Sequence, residues 1–198
     1  MHALIVVAHP ELSSLTHGVA AELAQGISAA DSQNSFEVAD LAAEGFDPRQ
    51  TAADLAYFRN QGPLPAEIAA EQARIDRADA LVLVYPVYWW SFPGLLKGWI
   101  DRVFTNGWAY DHQERGILQR LPVHLVALGA SSRKTYAKRG YDTAMKTQIE
   151  HGIFDYCGAR VASASLLSQS DEGFAQSHFD EAHRIGAALF AAETTTTP

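Results

Sequence analysis

A hydroxyl-rich turn follows the first apolar run of the chain and carries the groups that bind a phosphate. The run at residues 3–8 leads into His9, and Ser14, Leu15 and Thr16 then begin a segment of helical character. Unpaired backbone N–H groups at a helix start favour an anion, to which Ser14, Thr16 and the His9 imidazole can also donate. The turn lacks the glycine-rich nucleotide-binding fingerprints, so the alternative is that Ser14 only caps the helix.

An aromatic segment follows the third apolar run and is a second candidate site. It begins at Pro86 and continues with Val87, Tyr88, Trp89 and Trp90. Aromatic side chains in a proline-fixed loop offer flat apolar walls, and the free backbone groups there can bond a planar heterocycle. The alternative is a packing or dimer-interface cluster. A third, weaker signal is the turn of small residues after the fourth run, Gly129 and Ala130, where a ligand can approach the backbone closely.

Five short runs rich in Val, Ile and Leu predict buried strands, at residues 3–8, 36–41, 80–85, 123–128 and 161–166. Segments of helical character alternate with them, at residues 15–29, 66–77, 93–104, 143–156 and 174–192, with a short helix at 52–58 in a long connection. This alternation predicts an α/β fold, a doubly wound five-stranded parallel sheet of flavodoxin-like order 2-1-3-4-5. Strands 1, 3 and 4 are then neighbours, so the three candidate segments meet at one crevice. A phosphate site, an aromatic wall and an open-backbone turn together describe a flavin nucleotide site.

The composition limits the classes of protein. The chain has 198 residues, a net charge of −8 and a single cysteine, Cys157. The acidic balance argues against a nucleic-acid partner, and one cysteine excludes a multi-cysteine metal cluster and fits a reducing compartment. No apolar run approaches the ~20 residues of a membrane helix, and the first run is typical of a strand rather than of a signal peptide. We expect a cytoplasmic protein with no metal site, one domain at residues 1–193 and a disordered tail at 194–198.

Two further features are interpreted as structural. Cys157 lies before a glycine at a predicted helix end, where a buried, inert thiol is the usual occupant. A basic cluster is predicted to lie in a solvated loop that could meet nucleotide phosphates, and it consists of Arg133, Lys134, Lys138 and Arg139.

Several longer motifs resemble those of the NAD(P)H:quinone oxidoreductases, the DT-diaphorase-like flavoproteins that include ancillary proteins of bacterial potassium-efflux systems. The motifs are Ala8-His9-Pro10, Gly45-Phe46-Asp47-Pro48, Glu71-Gln72 before Arg77-Ala78-Asp79, and the block of residues 86–111 with Tyr88-Trp89-Trp90, Leu96-Lys97-Gly98-Trp99, Asp101-Arg102-Val103-Phe104 and Gly107-Trp108-Ala109-Tyr110. They extend over nearly the whole chain, and a match of this length is specific.

The resemblance implies a bound flavin with NAD(P)H as co-substrate. The residues implied at the flavin phosphates are His9, Ser14, Leu15 and Thr16. Those implied beside the isoalloxazine ring are Pro86, Val87, Tyr88, Trp89 and Trp90, with Gly129 and Ala130 at its pyrimidine edge. The implied catalytic residues are Trp89, Gly129 and Tyr136, of which Tyr136 matches a tyrosine that handles charge on the flavin in the animal enzymes.

This chain departs from the family pattern at three places. Leu15-Thr16 replaces the usual Phe-Asn, and two threonines before Gly129 are absent, so backbone groups must make those contacts. The histidine that follows the catalytic tyrosine in the animal enzymes is also missing. His178 is predicted either to lie near the nucleotide end of the flavin or to occupy a solvated helix position, and His112 to reach the partner subunit.

The predicted activity is two-electron reduction of quinones or related acceptors. A hydride would pass from NAD(P)H to the flavin and then to an acceptor in the same pocket, with ping-pong kinetics. FAD is expected rather than FMN because residues 45–48 resemble FAD-binding members, and a homodimer is expected in which the loop of residues 107–110 closes the partner's pocket. Azo or nitro compounds are alternative acceptors. The alternative roles are a flavin-binding regulatory subunit that associates peripherally with a membrane ion transporter, and, less strongly indicated, an electron-carrier flavodoxin.

Overall fold

The computed structural model describes residues 1–111, 113 and 115–191. Its five strands are β1 (His2–Val7), β2 (Ser35–Asp40), β3 (Ala80–Pro86), β4 (Pro122–Gly129) and β5 (Arg160–Ser168). All neighbours in the sheet are parallel, and the strand order is β2-β1-β3-β4-β5. The predicted fold class and strand order are therefore confirmed.

Seven α-helices are described: α1 (Leu15–Ala30), α2 (Ala52–Phe58), α3 (Ala66–Arg77), α4 (Gly94–Val103), α5 (Arg133–Arg139), α6 (Tyr141–Met145) and α7 (Gln176–Ala188). A wider, π-helical segment, Lys146–Asp155, continues from α6. The prediction of a loop for the basic cluster is wrong, because residues 133–139 form α5. Ser132 caps this helix by accepting a hydrogen bond from the Thr135 N–H group, and Gly140 ends it with a φ of 71°. These residue types are the usual signals of a helix start and end, and the residues between them favour a helix.

The helices cover both faces of the sheet. Ile5 and Val7 of β1 point to the face that α1 and α7 cover, where Leu23 and Ile185 complete the core. On the opposite face, strand residues pack against α3, α4 and the π-helical segment through Ile75, Trp99 and Phe154. Because the central strands β1 and β3 are buried on both faces, their sequences are continuous apolar runs rather than alternating ones.

Two glycines allow α1 and α7 to pack closely. A Cβ atom at Gly26 would lie 2.1 Å from the His183 carbonyl oxygen, and one at Gly186 would lie 2.0 Å from the Leu23 carbonyl oxygen. Real Cβ atoms do not approach backbone oxygens so closely, so these positions require glycine. The contact lets the C-terminal halves of the two helices pack against each other.

Ion pairs of α4 and the single cysteine have structural roles. Arg102 is buried and pairs with Asp54 at 2.9 Å and Glu67 at 2.8 Å, and Lys97 pairs with Asp101. Cys157 is buried as predicted, and desolvation raises the pKa of its thiol to about 11, as expected for an inert cysteine.

Within the described ranges, no helix has both the length and the apolar character needed to cross a membrane. His112 lies outside the described residues. The predicted tail at residues 194–198 and the last residue of the predicted C-terminal helix also lie outside them.

Candidate functional site

The carboxyl ends of β1, β3 and β4 enclose one cleft of about 230 Å³. Nine of the predicted cofactor-binding residues line it: His9, Ser14, Leu15, Thr16, Pro86, Val87, Tyr88, Gly129 and Ala130. Three segments that are distant in sequence therefore meet at one place, as the strand order requires.

The turn before α1 presents a helix start to this cleft. Ser14 is the N-cap of α1 and accepts a hydrogen bond from the His17 N–H group at 3.4 Å. His9 accepts the Glu11 N–H group at Nδ1 with a separation of 3.1 Å, which leaves its Nε2 atom as the donor in the neutral ring. The capping role considered for Ser14 is therefore real, and it coexists with a place at the cleft.

A chain of three side chains lies behind this turn and was not found by sequence reasoning. The Ser14 Oγ and His17 Nδ1 atoms are 2.9 Å apart, and His17 Nε2 is 2.8 Å from Asp40 Oδ2. His17 follows the cap by one helical turn, and Asp40 ends β2, the neighbour of β1. The available signals were the separation of Ser14 and His17 by one helical turn and the acidic residue at the end of β2. Using them requires knowing that β2 pairs with β1.

The aromatic segment forms a tight turn with an unusual backbone. Tyr88 and Ser91 exchange two N–H···O hydrogen bonds of 3.2 and 3.1 Å, while Trp89 and Trp90 have φ angles of 50° and 56°. A two-residue turn with positive φ at both central positions is normally made by Asn and Gly. Each bulky residue held in this region costs about 1–2 kcal/mol, and such strain is concentrated at functional sites.

The two tryptophans differ in their surroundings. Trp90 stacks on Tyr141 with ring centroids 3.8 Å apart, whereas Trp89 is 87% exposed. Neither is among the described residues that line the cleft, although Tyr88 of the same turn is. Their assignment as isoalloxazine contacts stays a prediction.

Tyr136 lies behind the small-residue turn. A Cβ atom at Gly129 would lie 2.8 Å from the Tyr136 hydroxyl, so glycine allows that hydroxyl to reach the turn. The side chain is buried and lines a separate cavity of about 160 Å³ together with Tyr85 and Leu166. Burial raises the pKa of Tyr136, so its hydroxyl keeps its proton at neutral pH.

Residues 1–188 match a family of proteins that is described by its flavodoxin-like fold. The chain belongs to this flavodoxin-like family. An uncharacterized NAD(P)H oxidoreductase of Haemophilus influenzae is 33% identical over 171 residues, which cover 84% of this chain and 83% of that protein. NAD(P)H dehydrogenase (quinone) 1 of Cavia porcellus is 28% identical over 188 residues, which cover 83% of this chain and 67% of that protein.

A solved structure extends the comparison. The NAD(P)H:quinone oxidoreductase from Methanothermobacter marburgensis matches this flavodoxin-like protein with a TM-score of 0.86 and 28% identity, over 96% of each chain. The resemblance drawn from the sequence motifs is thereby confirmed.

The cleft of this flavodoxin-like protein also includes residues that follow β5. Leu128 of β4 and Leu167 of β5 complete its lining together with the two residues that follow β5, Gln169 and His178. The signal available for them was the polar segment directly after the fifth apolar run, because β5 lies beside β4. His178 is buried with its Nε2 atom 3.0 Å from the Ser168 carbonyl oxygen, so the solvated alternative for this residue is wrong.

Replacing Trp89 with Asn is expected to stabilise the fold by up to about 1 kcal/mol, because Asn tolerates positive φ and the exposed indole gives up little packing. The matched change Trp90→Asn should destabilise it, because the stacking on Tyr141 is lost. Urea unfolding of both variants measures the difference. Loss of stability in Trp89→Asn would mean that the indole is packed in solution.

Proposed function

We propose that this flavodoxin-like protein is a flavin-dependent NAD(P)H:quinone oxidoreductase that transfers two electrons at a time. The observation that carries the proposal is the meeting of nine residues from three separate segments in one cleft. The names of the related oxidoreductases support the same reaction class.

Two features of the cleft fit a flavin nucleotide. The start of α1 and the Ser14 cap suit a phosphate. Near the start of α7, the Nδ1 atom of His178 is buried and, within the described part of the chain, has no hydrogen-bond partner. A buried polar atom without a partner is costly, and a ligand that bonds it removes that cost.

The rest of the cleft has an apolar wall and an open turn. Pro86, Val87 and Tyr88 line one part of it, and Gly129 and Ala130 line the neighbouring part. The wall excludes water from a planar ring, and the small residues let the ring approach the backbone.

A bound flavin would supply the two-electron hydride chemistry between NAD(P)H and the acceptor. The chain would orient it, with Ser14 and His9 at the phosphate end and the aromatic turn at the ring end. In this proposal Tyr136 holds a proton at its hydroxyl beside Gly129, where a neutral donor stabilises negative charge. Trp89, Gly129 and Tyr136 are the proposed catalytic residues.

Steady-state kinetics of the isolated protein test this function. We expect a yellow protein that oxidises NAD(P)H with a quinone and gives parallel double-reciprocal lines, because one cleft must serve both substrates in turn. Intersecting lines would contradict a shared site. A flavin-loaded protein without quinone reductase activity would favour the regulatory-subunit hypothesis, and azo dyes in the same assay test the alternative acceptors.

FAD is the proposed flavin. Residues 41–65, which include the short helix α2, form a connection between β2 and α3 much longer than the usual ~4–6 residues, and long connections in compact domains are often functional. The segment is held firmly against α4, since a Cβ atom at Gly98 would lie 2.3 Å from the Pro48 carbonyl oxygen and Arg102 lies 5.5 Å from the Phe46 ring centre. Chromatography of the chromophore released by heat identifies the flavin. Recovery of FMN alone, after reconstitution with an equimolar mixture of both flavins, would contradict FAD.

A C2 homodimer is the proposed assembly. Helix α2 has no buried residue, and its Leu55 and Phe58 are 39% and 65% exposed. They line a cleft of about 320 Å³ that Tyr110 of the predicted interface loop also lines. A second copy of the chain would cover this apolar surface beside the loop.

Phe58→Glu is expected to convert the dimer to a monomer, because a carboxylate would be buried in the interface. Light scattering at micromolar concentration measures the mass. Phe36→Glu is the matched control, since Phe36 is 40% exposed on the edge strand β2, and it should leave the dimer intact. A wild-type monomer with full activity would overturn the proposed assembly.

A further inference from the structure

The hydrogen-bond chain behind the phosphate turn has a defined direction. Asp40 Oδ1 accepts the N–H groups of Ala42 and Ala43 at 3.2 and 3.1 Å, and Asp40 Oδ2 faces His17 Nε2. An ionised carboxylate only accepts hydrogen bonds, so Nε2 of His17 must carry a hydrogen. The neutral imidazole then has its lone pair at Nδ1, opposite Ser14.

That tautomer uses the only hydrogen of the Ser14 hydroxyl. With a lone pair at Nδ1, the 2.9 Å contact between Ser14 Oγ and His17 Nδ1 requires Ser14 to donate. Ser14 Oγ already accepts the His17 N–H group as the helix cap. In this state Ser14 has no hydrogen left to give to an anion in the cleft.

Protonation of His17 reverses the contact. The imidazolium carries hydrogens on both ring nitrogens, so Nδ1 donates to Ser14 Oγ and the Ser14 O–H group is free to turn to the cleft. We propose that His17 is a positioning residue that couples binding of the flavin phosphates to the uptake of one proton. This inference rests on the proposed flavin function.

The groups around His17 support a local switch. Asp40 of β2 and His17 of α1 are largely buried, with 15% and 16% of their side chains exposed. From the turn before α1, the His9 ring lies edge-on with its centroid 6.3 Å away, and Glu11 donates its N–H group to that ring and accepts from Ser13. Because His9 is a second imidazole at the same turn, its own effect must be separated experimentally.

Equilibrium dialysis of the full-length chain against FAD or riboflavin tests the proposal. The FAD diphosphate keeps its charge across neutral pH, and riboflavin has no phosphate. We expect the Kd for FAD to rise about tenfold to a hundredfold between about pH 5.5 and pH 8.5. A change of this size corresponds to the loss of one hydrogen bond to a charged group. The Kd for riboflavin should stay constant. Calorimetry in buffers of different ionisation enthalpy should show proton uptake with FAD alone.

Two variants separate this coupling from a merely structural role. His17→Gln can still donate to Asp40 but frees Ser14 at every pH, so FAD binding should lose its pH dependence. Asp40→Asn presents an amide N–H to His17 Nε2, which moves the ring hydrogen to Nδ1 and frees Ser14 without protonation. Both variants should show a flat pH profile and no proton uptake, whereas a structural role predicts weaker binding with the slope unchanged. His9→Gln changes a side chain proposed to lie at the flavin phosphates, so FAD binding should weaken at every pH while the slope with pH remains.

The outcomes distinguish this inference from the function on which it rests. A wild-type Kd for FAD that is independent of pH, or an unchanged slope in folded His17→Gln and Asp40→Asn, would overturn the coupling and leave the flavin function standing. Failure to bind FAD, FMN and riboflavin at any pH would overturn both. If the chain selects FMN, the titration is made with FMN above about pH 7, where its phosphate is fully ionised.

Discussion

Ser14→Asp is expected to weaken FAD binding roughly 100-fold to 1,000-fold while the helix that it caps stays intact. Asp is as good an N-cap as Ser, so the start of α1 should keep its stability. The new carboxylate would face the flavin phosphates, and two like charges about 4 Å apart near a protein surface repel by about 4 kcal/mol.

Equilibrium dialysis with FAD and with riboflavin measures the effect, and thermal unfolding checks the fold. Ser14→Asn is the matched control, because it caps the helix without a charge and should bind FAD within about tenfold of the wild type. Riboflavin binding should be similar in both variants. Equal FAD affinity in Ser14→Asp and Ser14→Asn would place the phosphates elsewhere.

Gly26→Ala is expected to lower the free energy of unfolding by about 3 kcal/mol, which corresponds to a fall in Tm of roughly 6–12 °C for a domain of this size. Helix propensity alone predicts an increase in the free energy of unfolding, since Ala in a helix interior is about 1 kcal/mol more favourable than Gly. Packing decides the sign here, because the new methyl group would lie 2.1 Å from the His183 carbonyl oxygen.

Thermal and urea unfolding test this prediction. Gly94→Ala, at the first position of α4, is the matched control, because a Cβ atom there has no neighbour within 4 Å. It should be neutral or slightly stabilising. A Gly26→Ala variant as stable as the wild type would show that α7 can move away from α1. Since Ser14 and His178 lie in the first turns of these helices, such a shift should also weaken flavin binding.

The strand pattern made much of the site predictable. Apolar runs separated by helical segments define a parallel sheet, and the right-handed crossovers leave few strand orders. Once β1, β3 and β4 are neighbours, His9, Tyr88 and Gly129 must lie at the same edge of the sheet.

Local backbone rules would also have predicted α5. Ser132 and Gly140 bracket seven residues in the positions of a cap and a helix end, and the basic charge of this segment was interpreted as a solvated loop instead. The charge indicated where the side chains point, toward solvent, and not the conformation of the backbone. The positive φ angles of Trp89 and Trp90 had no such signal, since a turn of this type favours Asn and Gly.

The order of residues was enough to specify the sheet and the cleft at its carboxyl edge, because these follow from periodicity and chain connectivity. Contacts between side chains that are distant in sequence required the folded structure. His17 bonds Asp40 because β2 pairs with β1 and α1 crosses above them, and His178 is buried on a helix that packs closely against α1. Hydrogen bonds of this kind depend on distances of a few tenths of an ångström and on side-chain direction, which hydrophobic patterns do not encode.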